Sequence, residues 1–181
     1  MKEKHLIPHL FISESVGIFE DILRSGLSLR VKATGQSMTP FLSGGEILTI
    51  NKVPPASLSI GDLIFFKTTE GVPLIHRIIK KQQEAPCFIF HTKGDSLFVC
   101  DVPIGEERVF GKVCGVRRVD GNGDAEEINM ESHPQRFFNY MTAVFSLAKT
   151  RLYATAAKIL PLFLRVAIKK VFLQVFTFRL V

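Results

Sequence analysis

Residues 61–80 have the sequence GDLIFFKTTEGVPLIHRIIK. This stretch contains two runs rich in β-branched and aromatic residues, Asp62–Thr68 and Val72–Lys80, with the turn dipeptide Glu70-Gly71 between them. Short apolar runs bounded by turn residues are typical of β-strands. The stretch therefore predicts two strands with a turn between them.

The same pattern extends on both sides of this stretch. Further candidate strands are Leu27–Thr34, Glu46–Asn51, Cys87–Thr92 and Val109–Val119. Gly, Pro, Asn and Asp separate these runs, as turns require. Many short strands at this spacing favour a mainly β fold, a partly open barrel or sandwich, over an alternating β–α sheet.

Helical patterns flank the predicted β core. Near the N-terminus, apolar residues at helical spacing predict a helix over 13–25, with Ser13 as its N-cap and an end near Gly26. Beyond Pro134 the chain is apolar and helical in texture, and Pro161 predicts a break or kink. The predicted organisation is an N-terminal helical segment (1–29), a β core (30–120), a solvated acidic linker (121–133) and a C-terminal helical tail (134–181).

Charge is distributed unevenly along the chain. Residues 1–131 hold 15 Lys+Arg and 17 Asp+Glu, whereas residues 132–181 hold 8 Lys+Arg and no acidic residue. A cationic tail suits an anionic surface. Because this tail is also strongly apolar, lipid headgroups suit it better than nucleic acid, and no nucleic-acid partner is expected.

The positions of these cations predict how the tail meets a membrane. On one continuous helix, six cationic side chains would fall within about 40° of a common line: Arg136, Arg151, Lys158, Arg165, Lys169 and Arg179. Lys149 and Lys170 lie off this stripe. The pattern predicts peripheral contact of an amphipathic tail with an anionic membrane. The alternative is that the tail forms helices that pack on the β core or on a partner.

Several classes of protein and site are not indicated. The three cysteines, Cys87, Cys100 and Cys114, form no CxxC pair, which argues against a zinc ribbon or a disulfide framework and predicts reduced, mostly buried thiols. Neither a secretory signal nor a spanning stretch is apparent, because the longest run of the tail without Lys or Arg, Phe137–Ala148, is shorter than the roughly 18–20 residues that a spanning helix needs. We expect no metal and no cofactor, and a location in the cytoplasm or at the cytoplasmic membrane.

Three segments concentrate reactive side chains among glycine and turn residues. TGQSMTP (34–40) presents the hydroxyl of Ser37 on a bend, LIHRII (74–79) carries His76 and Arg77 in an apolar run, and TKGDSLFVCD (92–101) carries Asp95 and Asp101. In this order the chain supplies a nucleophile, a base and a carboxylate that can orient the base. Taken singly, each residue is more often a turn residue, a structural histidine or a solvated carboxylate.

These segments together resemble the superfamily of type I signal peptidases and SOS-repressor peptidases. The resemblance rests on GQSMTP (35–40), GEIL (45–48), GDLIFF (61–66), His76-Arg77 and TKGD (92–95), and covers about residues 31–118. It implies a β peptidase core that opens with a Ser-Met-x-Pro motif. Because His76 stands where other members carry a lysine base, the chain looks like the Ser–His branch, which includes endoplasmic-reticulum and archaeal signal peptidases.

The resemblance also implies a role for each site residue. Ser37 would be the nucleophile, His76 the general base and Asp101 the residue that orients it. Asp95 would be mainly structural, and Arg77 would support the fold or the loop carboxylates. Gly35 occupies the place where several lysine-branch members carry a serine that donates to the oxyanion, so the backbone amide of Ser37 would carry more of that stabilisation.

Two functions follow as hypotheses. The first is a serine endopeptidase that removes a signal-like or leader segment from a peptide or protein precursor. The second is a catalytically weak or inactive module that keeps the fold and binds peptides. The second is motivated by Gly35 and by the 36 residues before Ser37, which hold no membrane anchor and are too few for a repressor's DNA-binding domain. Retention of Ser37, His76 and Asp101 together favours the peptidase.

Overall fold

The computed structural model describes the backbone of residues 9–119 and 124–159 and the side chains of residues 17–119 and 124–155. Over these ranges the protein is mainly β, as predicted, with eight strands in one curled, half-barrel sheet and a helix at each end of the chain order. The strands are β1 (Leu29–Lys32), β2 (Ile47–Asn51), β3 (Leu63–Lys67), β4 (Pro73–Glu84), β5 (Cys87–Lys93), β6 (Ile104–Gly105), β7 (Val109–Val119) and β8 (Ala125–Asn129), and the helices are α1 (His9–Arg24) and α2 (His133–Ile159). All paired strands are antiparallel, in the order β1-β2-β7-β3-β4-β5-β6, with β8 paired to β7.

Strand β3 lies between β4 and β7 and separates two apolar cores. Because side chains alternate across a strand, Leu63 and Phe65 enter one core while Ile64 and Phe66 enter the other. All four side chains are at most 5% exposed. This burial on both faces explains why the stretch is continuously apolar and not alternating.

Helix α1 covers the core that contains Phe65. Leu23 is buried there, and the ring of Phe19 lies 5.9 Å from the ring of Phe65. The helix ends before Gly26, whose positive φ of 81° suits the C-terminal cap position. The predicted N-terminal helix is confirmed, but it begins at His9. Ser13 therefore lies inside the helix and is not its N-cap, because no Gly or Pro interrupts residues 9–12 to delay the start.

Strands are found at all six predicted positions, with ends that differ by at most four residues. The two strands that were not predicted lack an apolar pattern. Strand β6 is only two residues long, and β8 lies within residues 121–133, which were predicted as a solvated linker. Strand β8 is largely exposed, and its pairing with β7 rests on backbone hydrogen bonds and an ion pair from Nη1 of Arg118 to Oε2 of Glu126 at 3.8 Å. A hydrophobicity pattern cannot reveal such an edge strand.

Helix α2 packs a largely polar face against the β core. Its buried positions are Asn139, Ala143, Ser146 and Lys149. Packing on the β core, the predicted alternative for the tail, therefore describes the contact made by the first part of α2. Pro161 and the tail cations from Arg165 onward lie outside the described residues. None of the helices within the described part of the chain is long and apolar enough to cross a bilayer.

The three cysteines are free thiols. Cys100 and Cys114 are half-buried, whereas Cys87 is exposed at the start of β5, so the prediction of buried thiols is wrong for Cys87. Burial raises the pKa of both Cys100 and Cys114, so neither is an activated thiolate.

Candidate active site

Ser37 lies in the connection between β1 and β2, on a bend anchored from both sides. The next residue, Met38, is only 4% exposed and enters the core beneath α1. The backbone amide of Thr39 donates to the carbonyl of Gln36 at 3.2 Å and closes the bend. The side chain of Ser37 is thereby left half-buried at the surface of a fixed turn.

His76 is the fourth residue of β4 and is 3% exposed. Its Nε2 atom is 3.0 Å from Oγ of Ser37. The ladder between β3 and β4 places His76 opposite Ile64, so the ring is held by one of the most buried parts of the sheet. The sheet therefore brings together two residues that are 39 positions apart in the sequence.

Asp101 completes the group from the other side of the imidazole. Its Oδ2 atom lies 2.7 Å from Nδ1 of His76. The same oxygen accepts a hydrogen bond of 2.7 Å from Oγ1 of Thr92, and the Asp101 amide donates to the carbonyl of Thr92 at 3.0 Å. Two contacts with β5 thus fix the carboxylate that faces His76. Thr92 was not predicted as a site residue, and the TKGD motif at its position is the signal that could have indicated it.

Asp95 has a different partner. It forms a bidentate ion pair with Arg77, from Nε to Oδ1 at 2.9 Å and from Nη2 to Oδ2 at 2.7 Å. Arg77 is fully buried, and its Nη1 atom also donates to the Gly61 carbonyl and to the side-chain oxygen of Asn139 on α2. Successive side chains on a strand point to opposite faces, which separates Arg77 and Asp95 from His76. The predicted site residues are thus divided between a Ser37–His76–Asp101 group and a buried Arg77–Asp95 pair.

The loop after β5 holds the backbone of Ser37 directly. The amide of Ser96 donates to the Ser37 carbonyl at 2.9 Å, and its hydroxyl lies 3.0 Å from the same oxygen. A Cβ atom on Gly94 would be only 2.6 Å from that carbonyl. The position requires glycine because the loop and the Ser37 turn approach each other more closely than a side chain permits.

Two buried lysines connect helix α2 to the loop after β5 by hydrogen bonds. Nζ of Lys93 donates to the Gly94 carbonyl and to Oγ of Ser146. Nζ of Lys149 donates to the Asp95 carbonyl at 2.6 Å. Burial, together with the nearby charge of Lys149, lowers the pKa of Lys93 to about 8, and burial lowers the pKa of Lys149 as well. Neither lysine was predicted as a site residue. The sequence feature that could have indicated Lys149 is its position outside the stripe of cationic side chains predicted for the tail.

Gly35 adopts a positive φ of 83°, and no atom lies within 4 Å of the position that its Cβ would occupy. The space beside the Ser37 turn is therefore open at this point. A side chain would be strained by the backbone conformation and not by its neighbours. Gly35 supplies no side-chain donor, so the amide of Ser37 remains the candidate oxyanion donor.

A shallow cleft of about 130 Å³ borders the group on the Asp101 side. Its lining residues come from the end of β3, the polar loop after β3, the loop before β6 and the start of β6: Phe66, Thr68, Thr69, Glu70, Asp101, Val102 and Ile104. Within the described residues, no group of three His, Cys, Asp or Glu side chains is placed to hold a metal ion.

Comparisons with known proteins give no assignment for this chain. No protein-family model matches it, and no curated protein matches it significantly.

Proposed function

We propose that this protein is a serine endopeptidase with a signal-peptidase-like core, in which Ser37 is the nucleophile. The observation that carries the proposal is the continuous contact from Ser37 Oγ to His76 Nε2 at 3.0 Å and from His76 Nδ1 to Asp101 Oδ2 at 2.7 Å. A nucleophile within hydrogen-bond reach of a base, itself oriented by a third group, is the geometry that acyl transfer requires.

The proposed reaction follows from these two contacts. Oγ of Ser37 attacks the scissile carbonyl carbon while Nε2 of His76 takes up the hydroxyl proton. Collapse of the tetrahedral intermediate breaks the carbon–nitrogen bond, and His76 returns the proton to the leaving amine. A water molecule then attacks the acyl-enzyme, with His76 as base again, and releases the carboxylate product and free Ser37. Asp101 holds the imidazole with Nδ1 protonated throughout, so that Nε2 is the acceptor.

The developing oxyanion would be stabilised by the backbone amide of Ser37. Because Gly35 offers no hydroxyl, we expect a hole with one side-chain donor fewer than in the lysine-branch peptidases that the sequence resembles. Removal of one such donor typically costs on the order of 10²-fold in rate. A modest turnover is therefore part of the proposal.

The substrate class that we propose is a peptide or protein precursor with a signal-like or leader segment. A shallow cleft of about 130 Å³ beside Asp101 fits small side chains better than large ones. The expected location is the cytoplasm or the cytoplasmic face of the membrane. The alternative, a peptide-binding module without turnover, is less well supported, because a binding role does not need the imidazole to contact both Ser37 and Asp101.

An active-site-directed fluorophosphonate probe tests the proposal. The wild-type chain should be labelled at Ser37, and Ser37→Ala should not be labelled. Ser57→Ala, which removes an exposed hydroxyl bonded only locally to Pro54, is the matched control and should be labelled like wild type. Mass spectrometry of a peptide mixture incubated with each protein should show cleavage products with wild type and Ser57→Ala only. Equal labelling of wild type and Ser37→Ala, or no Ser37-dependent cleavage, would contradict the peptidase.

A further inference from the structure

The orientation of helix α2 is inverted relative to an ordinary surface helix. An amphipathic helix on a globular protein turns its apolar stripe toward the core. Here the inward face is polar and held by directed hydrogen bonds, from Arg77 to Asn139, from Lys93 to Ser146 and from Lys149 to the Asp95 carbonyl. These bonds fix the rotation of the helix about its axis.

The outward face of α2 is consequently apolar. The exposed side chains include Phe137 at 68%, Tyr140 at 48%, Val144 at 42%, Phe145 at 56% and Leu152 at 58%. At 100° per residue these five positions fall within an arc of about 140°. A continuous aromatic and aliphatic stripe of this kind marks an interaction surface, because removing such side chains from water is favourable.

The charged side chains near this apolar stripe indicate what kind of partner it contacts. Arg136 and Arg151 are exposed near the Tyr140 edge of the apolar arc, Arg136 about 40° outside it and Arg151 about 20° inside it. Residues 132–181 contain no acidic residue. Aromatic side chains bordered by cations are the pattern of a helix that lies in the headgroup region of an anionic bilayer. A second copy fits less well, because two such faces would oppose cation to cation with no carboxylate from either helix to pair with them.

We propose that the outward face of α2, formed by Phe137, Tyr140, Val144, Phe145 and Leu152, lies on an anionic lipid surface. The polar face of the same helix contacts the loop that holds the Ser37 carbonyl, through Lys93 and Lys149. Membrane contact would therefore place the candidate active site next to the bilayer. The proposal rests on the helix and its packing, and it does not depend on catalytic turnover.

Tryptophan fluorescence of the full chain tests the proposal, because the natural sequence contains no Trp. Phe145→Trp places a single reporter on the outward face of α2, and Val119→Trp places one on β7 at a position of nearly equal exposure, 59%. With vesicles of phosphatidylcholine and phosphatidylglycerol, the emission of Phe145→Trp should shift to shorter wavelength and be quenched by brominated lipids. The emission of Val119→Trp should not change. The blue shift should weaken with added salt and be absent with pure phosphatidylcholine.

Vesicle co-sedimentation of charge variants gives the second measurement. Phe145→Glu combined with Leu152→Glu should weaken binding to anionic vesicles by about tenfold or more, whereas Val119→Glu should bind like wild type. Circular dichroism verifies that each variant is folded, and Phe145→Ser is the milder replacement if the double variant is not. Binding unchanged by the α2 variants would overturn the proposal, because it would assign any lipid contact to another segment. A concentration-dependent blue shift without vesicles would also overturn it, in favour of a second copy.

Ser37→Ala separates this inference from the proposed function. It should bind anionic vesicles like wild type. If wild type hydrolyses peptides but does not bind vesicles, the membrane surface is wrong and the peptidase stands. If vesicle binding is observed without hydrolysis, the peptidase is wrong and the membrane surface stands.

Discussion

Lys149, on helix α2, donates a hydrogen bond of 2.6 Å from its ammonium group to the backbone carbonyl of Asp95, in the loop after β5. One residue further along, Ser96 donates to the carbonyl of Ser37. A helix outside the sheet is thereby connected to the backbone of the candidate nucleophile through one short loop. The contact therefore connects the predicted C-terminal tail to the candidate site in the β core.

Lys149→Met should reduce both stability and activity. It leaves the buried Asp95 carbonyl without this donor, which costs about 1–3 kcal/mol, and it loosens the loop that fixes Ser37. We expect a lower midpoint in urea denaturation and a kcat several-fold below wild type. Arg151→Met, at an exposed cation on the same helix, is the matched control and should change neither quantity. A Lys149→Met protein with wild-type kcat would show that the helix does not position the loop.

Asp95 and Asp101 should respond in opposite ways to substitution by asparagine. Asp95→Asn removes the charged partner of the fully buried Arg77, and loss of one member of a buried pair costs about 3–5 kcal/mol. Asp101→Asn leaves the fold nearly unchanged but lets the imidazole adopt the wrong tautomer, which in a comparable triad reduces kcat by about 10⁴.

Urea denaturation and single-turnover hydrolysis of the two variants separate the roles. A folded, stable Asp101→Asn protein with wild-type activity would remove Asp101 from the proposed mechanism. A stable Asp95→Asn protein with strongly reduced activity would exchange the roles of the two carboxylates.

Thr92→Val should lower kcat without raising KM. The substitution keeps the shape of a fully buried side chain but removes the hydroxyl that donates to Asp101 Oδ2. Loss of one hydrogen bond to a charged group corresponds to about 1.5–3 kcal/mol, so a decrease in kcat of roughly tenfold to a hundredfold is expected. Thr155→Val, at an exposed hydroxyl on α2, serves as the control. An increase in KM alone would instead indicate that Thr92 acts on substrate binding.

Gly94→Ala, in the loop after β5, should impair activity far more than an alanine at a glycine within a strand. The new Cβ would lie 2.6 Å from the Ser37 carbonyl and about 3.0 Å from Leu97, so the turn that carries Ser37 must move. Gly115→Ala is the matched control, since its nearest neighbour would be 3.6 Å away, an ordinary contact. Probe labelling of Ser37 should slow at least tenfold in Gly94→Ala and stay unchanged in Gly115→Ala. Equal labelling rates would mean that the loop does not fix the nucleophile.

Because of Lys93, the free energy of unfolding should increase with pH in the alkaline range. Its pKa is lowered in the folded protein from 10.5 to about 8, so between these values the unfolded chain binds more protons than the folded one. The free energy of unfolding contributed by this site therefore increases with pH over that window. The difference in unfolding free energy between wild type and Lys93→Met should grow in favour of wild type from pH about 8 to about 10. Lys32→Met, at an exposed lysine on β1, is the control, and a flat or falling difference for Lys93→Met would contradict the prediction.

The β core was predictable because its strands are short apolar runs separated by residues that favour turns. The run 61–80 specifies both ends of β3 and the start of β4 to within one residue, since buried strands leave a strong local signal, whereas the polar end of β4 continues to Glu84, four residues past the predicted end. The residues of the candidate site could be proposed from the sequence for a related reason, because Ser37, His76 and Asp101 each lie in a short motif of reactive residues among glycine, turn or apolar residues. Strand β8 was not predictable, because a largely exposed strand carries no apolar pattern.

The amino-acid sequence by itself determined both helices, six of the eight strands, the reactive side chains of the candidate site and the charge imbalance of the C-terminal region, since all of these depend on local composition and spacing. Only the tertiary structure decided which carboxylate faces His76 and which is paired with Arg77, because two acids six positions apart in one loop are distinguished by the directions in which the folded loop turns them. It also decided the orientation of α2. Helical periodicity defines a polar and an apolar face, but the polar face turned inward here because the buried groups of Arg77, Lys93 and the Asp95 carbonyl required hydrogen-bond partners that apolar side chains cannot supply.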